Sequence, residues 1–92
     1  MADPHAGKTF TLEIVTPERI VFSGPVTTAV APAAYGYLGI LANHAPLLAT
    51  LAPGKITFRH PAGTLTTVQC LGSGFLEVQR NQVVLLADEI AA

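Results

Sequence analysis

Hydrophobic and polar positions alternate along most of this chain. Phe10, Leu12 and Ile14 are interleaved with Thr9, Thr11 and Glu13, the period-two signature of a strand with one buried face, and the pattern stops before Thr16-Pro17. Ile20 to Phe22 is predicted as a second short strand closed by Ser23-Gly24-Pro25, and Val26 to Ala31 as a third ending at Pro32. Tyr35 to Leu41 is β-biased but holds Gly36 and Gly39, so a bent or bulged strand is expected there. Leu47 to Leu51 follows and is stopped by Pro53-Gly54. Ile56 and Phe58 alternate with Lys55, Thr57 and Arg59, and His60-Pro61-Ala62-Gly63 turns into Thr64 to Leu71. After Gly72-Ser73-Gly74, Leu76 and Val78 alternate with Glu77 and Gln79. Arg80-Asn81 then suits a tight hairpin with Asn81 in the left-handed region, returning through Val83 to Ala87.

Nine to ten short strands with Gly and Pro punctuation predict an all-β protein, an antiparallel β-sandwich or flattened barrel. Only Asp88 to Ala92 could begin a helix, and that stretch is too short to hold one. Residues 1–8 read as an N-terminal tail, 9–88 as the domain and 89–92 as a C-terminal stub.

Composition sharpens this picture. Half of the 92 residues are hydrophobic and 12% are charged, against about 25% charged in an ordinary domain. Apolar surface therefore exceeds what one thin core can bury, which favours a permanent subunit. Between Arg19 and Lys55 there is no acidic or basic side chain, and His44 is the one titratable group. So long a neutral stretch points to a face that meets a partner. Its prolines and glycines cut it into strand-length pieces, so direct membrane insertion by a helix is not expected. A net charge of -1 with five scattered cations argues against nucleic acid. One cysteine, Cys70, and a start without basic and apolar leader regions suggest a reducing, cytosolic-side compartment.

No catalytic constellation is legible. Gly7-Lys8-Thr9 imitates the end of a phosphate-binding loop, but position 2 is Ala where Gly is required and a strand follows. Gly72-Ser73-Gly74 begins a dinucleotide fingerprint whose third glycine is replaced by Glu77. His5, His44 and His60 have no ligands at metal-binding spacing, and no carboxylate pair lies in apolar surroundings. Neither metal nor cofactor is expected, and Cys70 reads as a small core residue.

Four pieces in order carry a resemblance: Leu12-x-Ile14-Val15-Thr16-Pro17-Glu18, Phe22-Ser23-Gly24, the run from Gly36 to Gly54 with His44-Ala45-Pro46-Leu47-Leu48, and Gly74-Phe75-Leu76-Glu77-Val78 leading to Leu86-Ala87-Asp88. Together they resemble the N-terminal β-sandwich domain of the epsilon subunit of F-type ATP synthase, the delta subunit of the mitochondrial enzyme. The resemblance implies a non-catalytic central-stalk subunit that clamps gamma, sits on the polar loops of the c-ring and turns with the rotor. It implies a peripheral place at the cytoplasmic face of the bacterial inner membrane or the equivalent organelle membrane. Partner-facing residues would then be Thr16, Tyr35, Gly36, Tyr37, His44, Pro46, Leu47, Leu48 and Ala49.

Several readings stay open at this point. The His44 ring either bonds a backbone carbonyl to hold its turn or touches a partner directly. Tyr37 either meets the c-ring or packs inside the sandwich. Leu47 and Leu48, as strand neighbours, should divide between core and partner. Two departures from the family pattern are visible: Asn43 stands where Gly usually precedes the His, and Tyr37 replaces a common acidic residue. The family's C-terminal helical pair, which regulates hydrolysis and in some members binds ATP, would follow Asp88; without it no ATP binding is expected. The rival reading is a free-standing ligand-binding module with Tyr35, Tyr37 and His44 as its recognition patch.

Overall fold

A computed structural model describes residues 8–92. Most of the expected tail, with His5 and Gly7, lies outside the described residues. Ten strands follow in chain order: β1 (Phe10–Val15), β2 (Ile20–Val26), β3 (Thr28–Ala33), β4 (Gly36–Leu41), β5 (Leu47–Leu51), β6 (Gly54–Arg59), β7 (Leu65–Cys70), β8 (Gly74–Gln79), β9 (Gln82–Ala87) and β10 (Ile90–Ala91). The ladder runs β10-β7-β6-β3-β5-β8-β9-β1-β2, with β4 on the far side of β3. It folds at the β3–β5 junction, where the pairing is reduced to Ala33 opposite Leu51, into two packed layers: β4-β3-β6-β7-β10 and β5-β8-β9-β1-β2.

The inward positions of both layers fill one core. Leu12, Ile14, Ile56, Leu76 and Leu85 are fully buried in it. Leu12 and Ile14 are the alternate residues of β1, and Leu76 and Val78 those of β8, as period two requires. Phe22 of β2 meets Phe58 of β6 across the open side of the sandwich, their ring centroids 4.5 Å apart, so an aromatic pair joins two strands that share no ladder.

The fold differs from expectation in four places. β2 runs through Ser23-Gly24-Pro25, because Pro25 lies opposite Thr11 on an edge strand where no outer partner needs its missing N–H. β3 passes Pro32 because the neighbour there changes from β6 to β5; Pro32 only accepts, its carbonyl taking the Ala52 N–H at 2.9 Å. Asp88 to Ala92, too short to hold a helix as expected, instead supplies a tenth strand: Ile90 is buried opposite Cys70 and forms β10, where burial of its side chain is favourable. The sandwich is not wholly antiparallel, because β1 and β9 pair in parallel. At the β8–β9 hairpin Arg80 and Asn81 both adopt positive φ, 51° and 59°, the two-residue turn whose twist matches its strands.

Candidate docking face

Four apolar doublets interrupt the alternation on β1, β5, β8 and β9: Ile14-Val15, Leu47-Leu48, Phe75-Leu76 and Leu85-Leu86, the last within the apolar run Val83 to Ala87. Strand neighbours point to opposite sides, so each doublet forces one apolar side chain outward. The core takes Ile14, Leu76 and Leu85 and half-buries Leu47, while Leu48, Phe75 and Leu86 stand 70%, 57% and 49% exposed. The outward members of these four doublets share one layer. Register aligns Val15 with Leu86, Leu86 with Phe75 and Phe75 with Thr50, giving a row that is apolar across β1, β9 and β8 and ends on β5 at a threonine. Beside it runs a second row, Glu13, Val84, Glu77 and Leu48.

Phe75 is a ridge between two shallow grooves. One, of about 330 Å³, lies between the Val15-Thr16-Pro17 segment and Leu86. The other, of about 440 Å³, is walled by Tyr35 on one side and by Leu48 and Phe75 on the other. The backbone beneath the ridge is tight: a Cβ on Gly74 would sit 1.8 Å from the Leu86 carbonyl oxygen, so only glycine lets β8 and β9 close there.

The structure separates the residues expected at a partner surface. Thr16 is buried, and its hydroxyl and N–H both donate to the Arg19 carbonyl, at 3.2 and 2.9 Å, while its oxygen takes the Arg19 N–H. Thr16 thus closes the β1–β2 turn, and Pro17, Glu18 and Arg19 are the exposed residues there. His44 bonds the Ala45 carbonyl through Nδ1 at 2.7 Å, which fits its turn-holding reading. Asn43 takes φ 64°, so asparagine serves where the family pattern has glycine. Its N–H donates to Asn81 Oδ1 at 2.7 Å, and Asn81 Nδ2 donates to the Thr9 carbonyl at 2.9 Å. One side chain therefore ties the β4–β5 turn to the start of β1.

Leu48 is exposed in the second groove, Leu47 and Ala49 are half-buried, and Pro46 is exposed at the foot of β5. Tyr35 is fully exposed at the tip of the β3–β4 hairpin beside Gly36, whose φ is 128°. Tyr37 does not enter the core: it is 61% exposed, and its hydroxyl accepts the Lys55 N–H at 3.1 Å. Tyr35, Tyr37 and His44 thus engage three different neighbourhoods rather than one patch. Phe75, Leu86 and Val15 were absent from the sequence-based set, although the doublets mark them. The charge-free stretch is also not one face, since β2 and β5 belong to one layer and β3 and β4 to the other.

Chemically reactive groups are sparse. Burial pushes the Cys70 thiol above its ordinary pKa, with a smaller push from the Asp88 carboxylate, and the thiol donates to the Gly72 carbonyl at 3.2 Å. Among the described residues no cluster of three or more His, Cys, Asp or Glu could hold a metal ion, and no helix is long and apolar enough to cross a membrane.

Residues 9–92 match the family model of the β-sandwich domain of the ATP synthase delta/epsilon chain. The chain is 50% identical over 82 residues to the ATP synthase epsilon chain of Dichelobacter nodosus, covering 89% of this chain and 57% of that one. To the epsilon chain of Chlorobaculum tepidum it is 42% identical over 84 residues, covering 91% of this chain and 94% of the relative. The Euglena gracilis mitochondrial ATP synthase structure contains a chain of the same fold, with a TM-score of 0.85 at 20% identity over 99% of this chain and 57% of that chain. A chain of the Tetrahymena thermophila ATP synthase central stalk and c-ring matches with a TM-score of 0.74 at 15% identity, over 87% of this chain and 63% of that chain.

Proposed function

The chain belongs to the family of ATP synthase delta/epsilon-chain β-sandwich domains, and from that membership we propose that it is a non-catalytic central-stalk subunit coupling c-ring rotation to gamma. The observation that carries this reading is the outer apolar row, Val15, Leu86 and Phe75, with Leu48 beside it. A small protein leaves so continuous an apolar strip in water only at a cost in solubility unless a partner covers it. Phe75 supplies an aromatic ridge with a groove on each side, the shape of an interface anchor. Gamma is the occupant: its surface would bring apolar side chains into the grooves and cations to Glu13 and Glu77 along the neighbouring row. A part that transmits torque needs a broad desolvated contact, and a mostly uncharged face forms one without the penalty of burying unpaired ions.

The β3–β4 hairpin stands at the margin of this face with the Tyr35 ring on the gamma groove, and the backbone of its tip at Gly36 is proposed to reach the polar loops of the c-ring. The subunit then works at the cytoplasmic side of the coupling membrane. Co-expression with the cognate gamma subunit tests the assignment. A stable complex should form at micromolar concentration and be abolished by Phe75→Glu without loss of the folded domain; no complex with the unaltered chain would overturn the reading.

A further inference from the structure

The edge strand β4 has a ladder partner on one side only, β3, yet it is fastened to a second strand by a side chain. Tyr37 lies opposite Pro32, and its ring reaches across β3 so that the hydroxyl accepts the Lys55 N–H of β6 at 3.1 Å. The crossing is close. Gly54 has φ 156°, and a Cβ there would lie 2.8 Å from both Pro32 Cβ and Tyr37 Oη. Pro32, on the outward side of β3, is buried. Below it, Ala34 donates to the Thr50 carbonyl and Ala52 to the Pro32 carbonyl, each at 2.9 Å. The hairpin is thus sewn to β5 and the β5–β6 corner just behind its tip, and Tyr35 projects from that tip beside Leu48 and Phe75.

We propose that Tyr37 is a positioning residue, a latch through which the β6 backbone fixes the β3–β4 hairpin so that Tyr35 stands as a wall of the gamma groove. The role rests on the docking reading above. The two tyrosines divide the work: Tyr37 turns its polar end inward to the sheet, and Tyr35 gives its whole ring to the partner. Two neighbouring glycines make this possible, Gly36 by its left-handed backbone at the tip and Gly54 by leaving room for the phenol.

The test uses the 92-residue chain with Tyr37→Phe, Tyr35→Ala and both together. Amide exchange at Lys55 reports the latch directly, and affinity for the cognate gamma reports its use. Tyr37→Phe should speed Lys55 exchange about tenfold, by removing the acceptor but not the ring. Tyr37→Phe and Tyr35→Ala should each weaken gamma binding about three- to tenfold, and the double variant should be no weaker than Tyr35→Ala, since the latch acts through that ring. Unchanged Lys55 exchange in Tyr37→Phe overturns the latch. Faster exchange with unchanged gamma affinity, or additive losses in the double variant, overturns the positioning role and leaves the docking reading intact. Failure of every form to bind gamma, with Lys55 exchange still responding, overturns the docking reading instead.

Discussion

The two outer faces of the sandwich are built by the same alternation and differ in how their apolar and charged side chains are arranged. On the β5-β8-β9-β1 layer the outward row is Val15, Leu86 and Phe75, flanked by Leu48 and two carboxylates. On the β4-β3-β6-β7 layer the outward positions of β6 and β7 are Lys55, Thr57, Arg59, Leu65, Thr67 and Gln69, Val30, Tyr37 and Leu41 are exposed singly on β3 and β4, and the four strands hold cations but no acidic residue. Thr57 and Thr67 share a hydroxyl hydrogen bond at 3.2 Å, a cross-strand pair that suits a face turned to water. Folding constrains the inward residues of both layers alike. The outward residues are free of that demand, so their difference reports use rather than stability.

The largest expected effect strikes the ridge through its backbone. Gly74→Ala would drive a Cβ into the Leu86 carbonyl, a backbone collision that no rotamer relieves. Forcing β8 from β9 should cost more than about 3 kcal/mol, a large share of the roughly 5–15 kcal/mol that holds a domain folded. Thermal melting checks this; an unshifted transition would mean that the two strands can part without disturbing the core.

Within the doublets the comparison becomes a single-residue one. Leu76→Ala, inside, should destabilise by about 2–5 kcal/mol, whereas Phe75→Ser, its outward neighbour, should change stability by under about 1 kcal/mol and remove gamma binding. Leu47→Ala and Leu48→Ala should show the same split in weaker form, because Leu47 is only half-buried. Melting curves and pull-down on one set of proteins decide it. If the outward member of each doublet governs melting and the inward one governs binding, the assignment of faces is inverted.

These doublets also show how much the sequence revealed. Nine strands and the core positions on β1, β6 and β8 were legible because period two is strong wherever one face is wet. Boundaries were lost where proline stood in a strand, since Pro25 and Pro32 are tolerated only by their places in the sheet, an edge and a change of partner. The short strand β10 was unreadable because its formation depends on Cys70, twenty residues away, as a partner for Ile90. The docking face was half legible. Leu48 was found through its family motif, but Val15, Leu86 and Phe75 become neighbours only through the parallel β1–β9 pairing and the β8–β9 register, which no local pattern encodes.

A smaller effect is expected from the polar face. Thr67→Glu places a carboxylate among outward threonines near Lys55 and Arg59, where solvent screens it. Stability should move by under about 0.5 kcal/mol and gamma affinity should be unchanged when measured by titration calorimetry. Loss of binding from this substitution would mean that gamma grips both layers, and the contrast between them would lose its functional meaning.

The smallest effect comes from the interior that both faces share. The Cys70 thiol is fully buried between β6 and β10 and its pKa is raised, first by burial and then by Asp88. The folded chain therefore holds that proton more tightly than the unfolded chain, whose thiol ionises near 9.0. Below that pH both states are protonated and the residue adds no slope. Above it the unfolded state loses its proton first and is favoured, so stability should decline as pH rises toward the raised folded value. Cys70→Ala should remove that component of the alkaline decline while lowering stability at neutral pH through the lost packing. Denaturant melts at pH 7 and at about pH 10 separate the two contributions. An alkaline decline of equal steepness in both proteins would show that the buried thiol does not contribute to it.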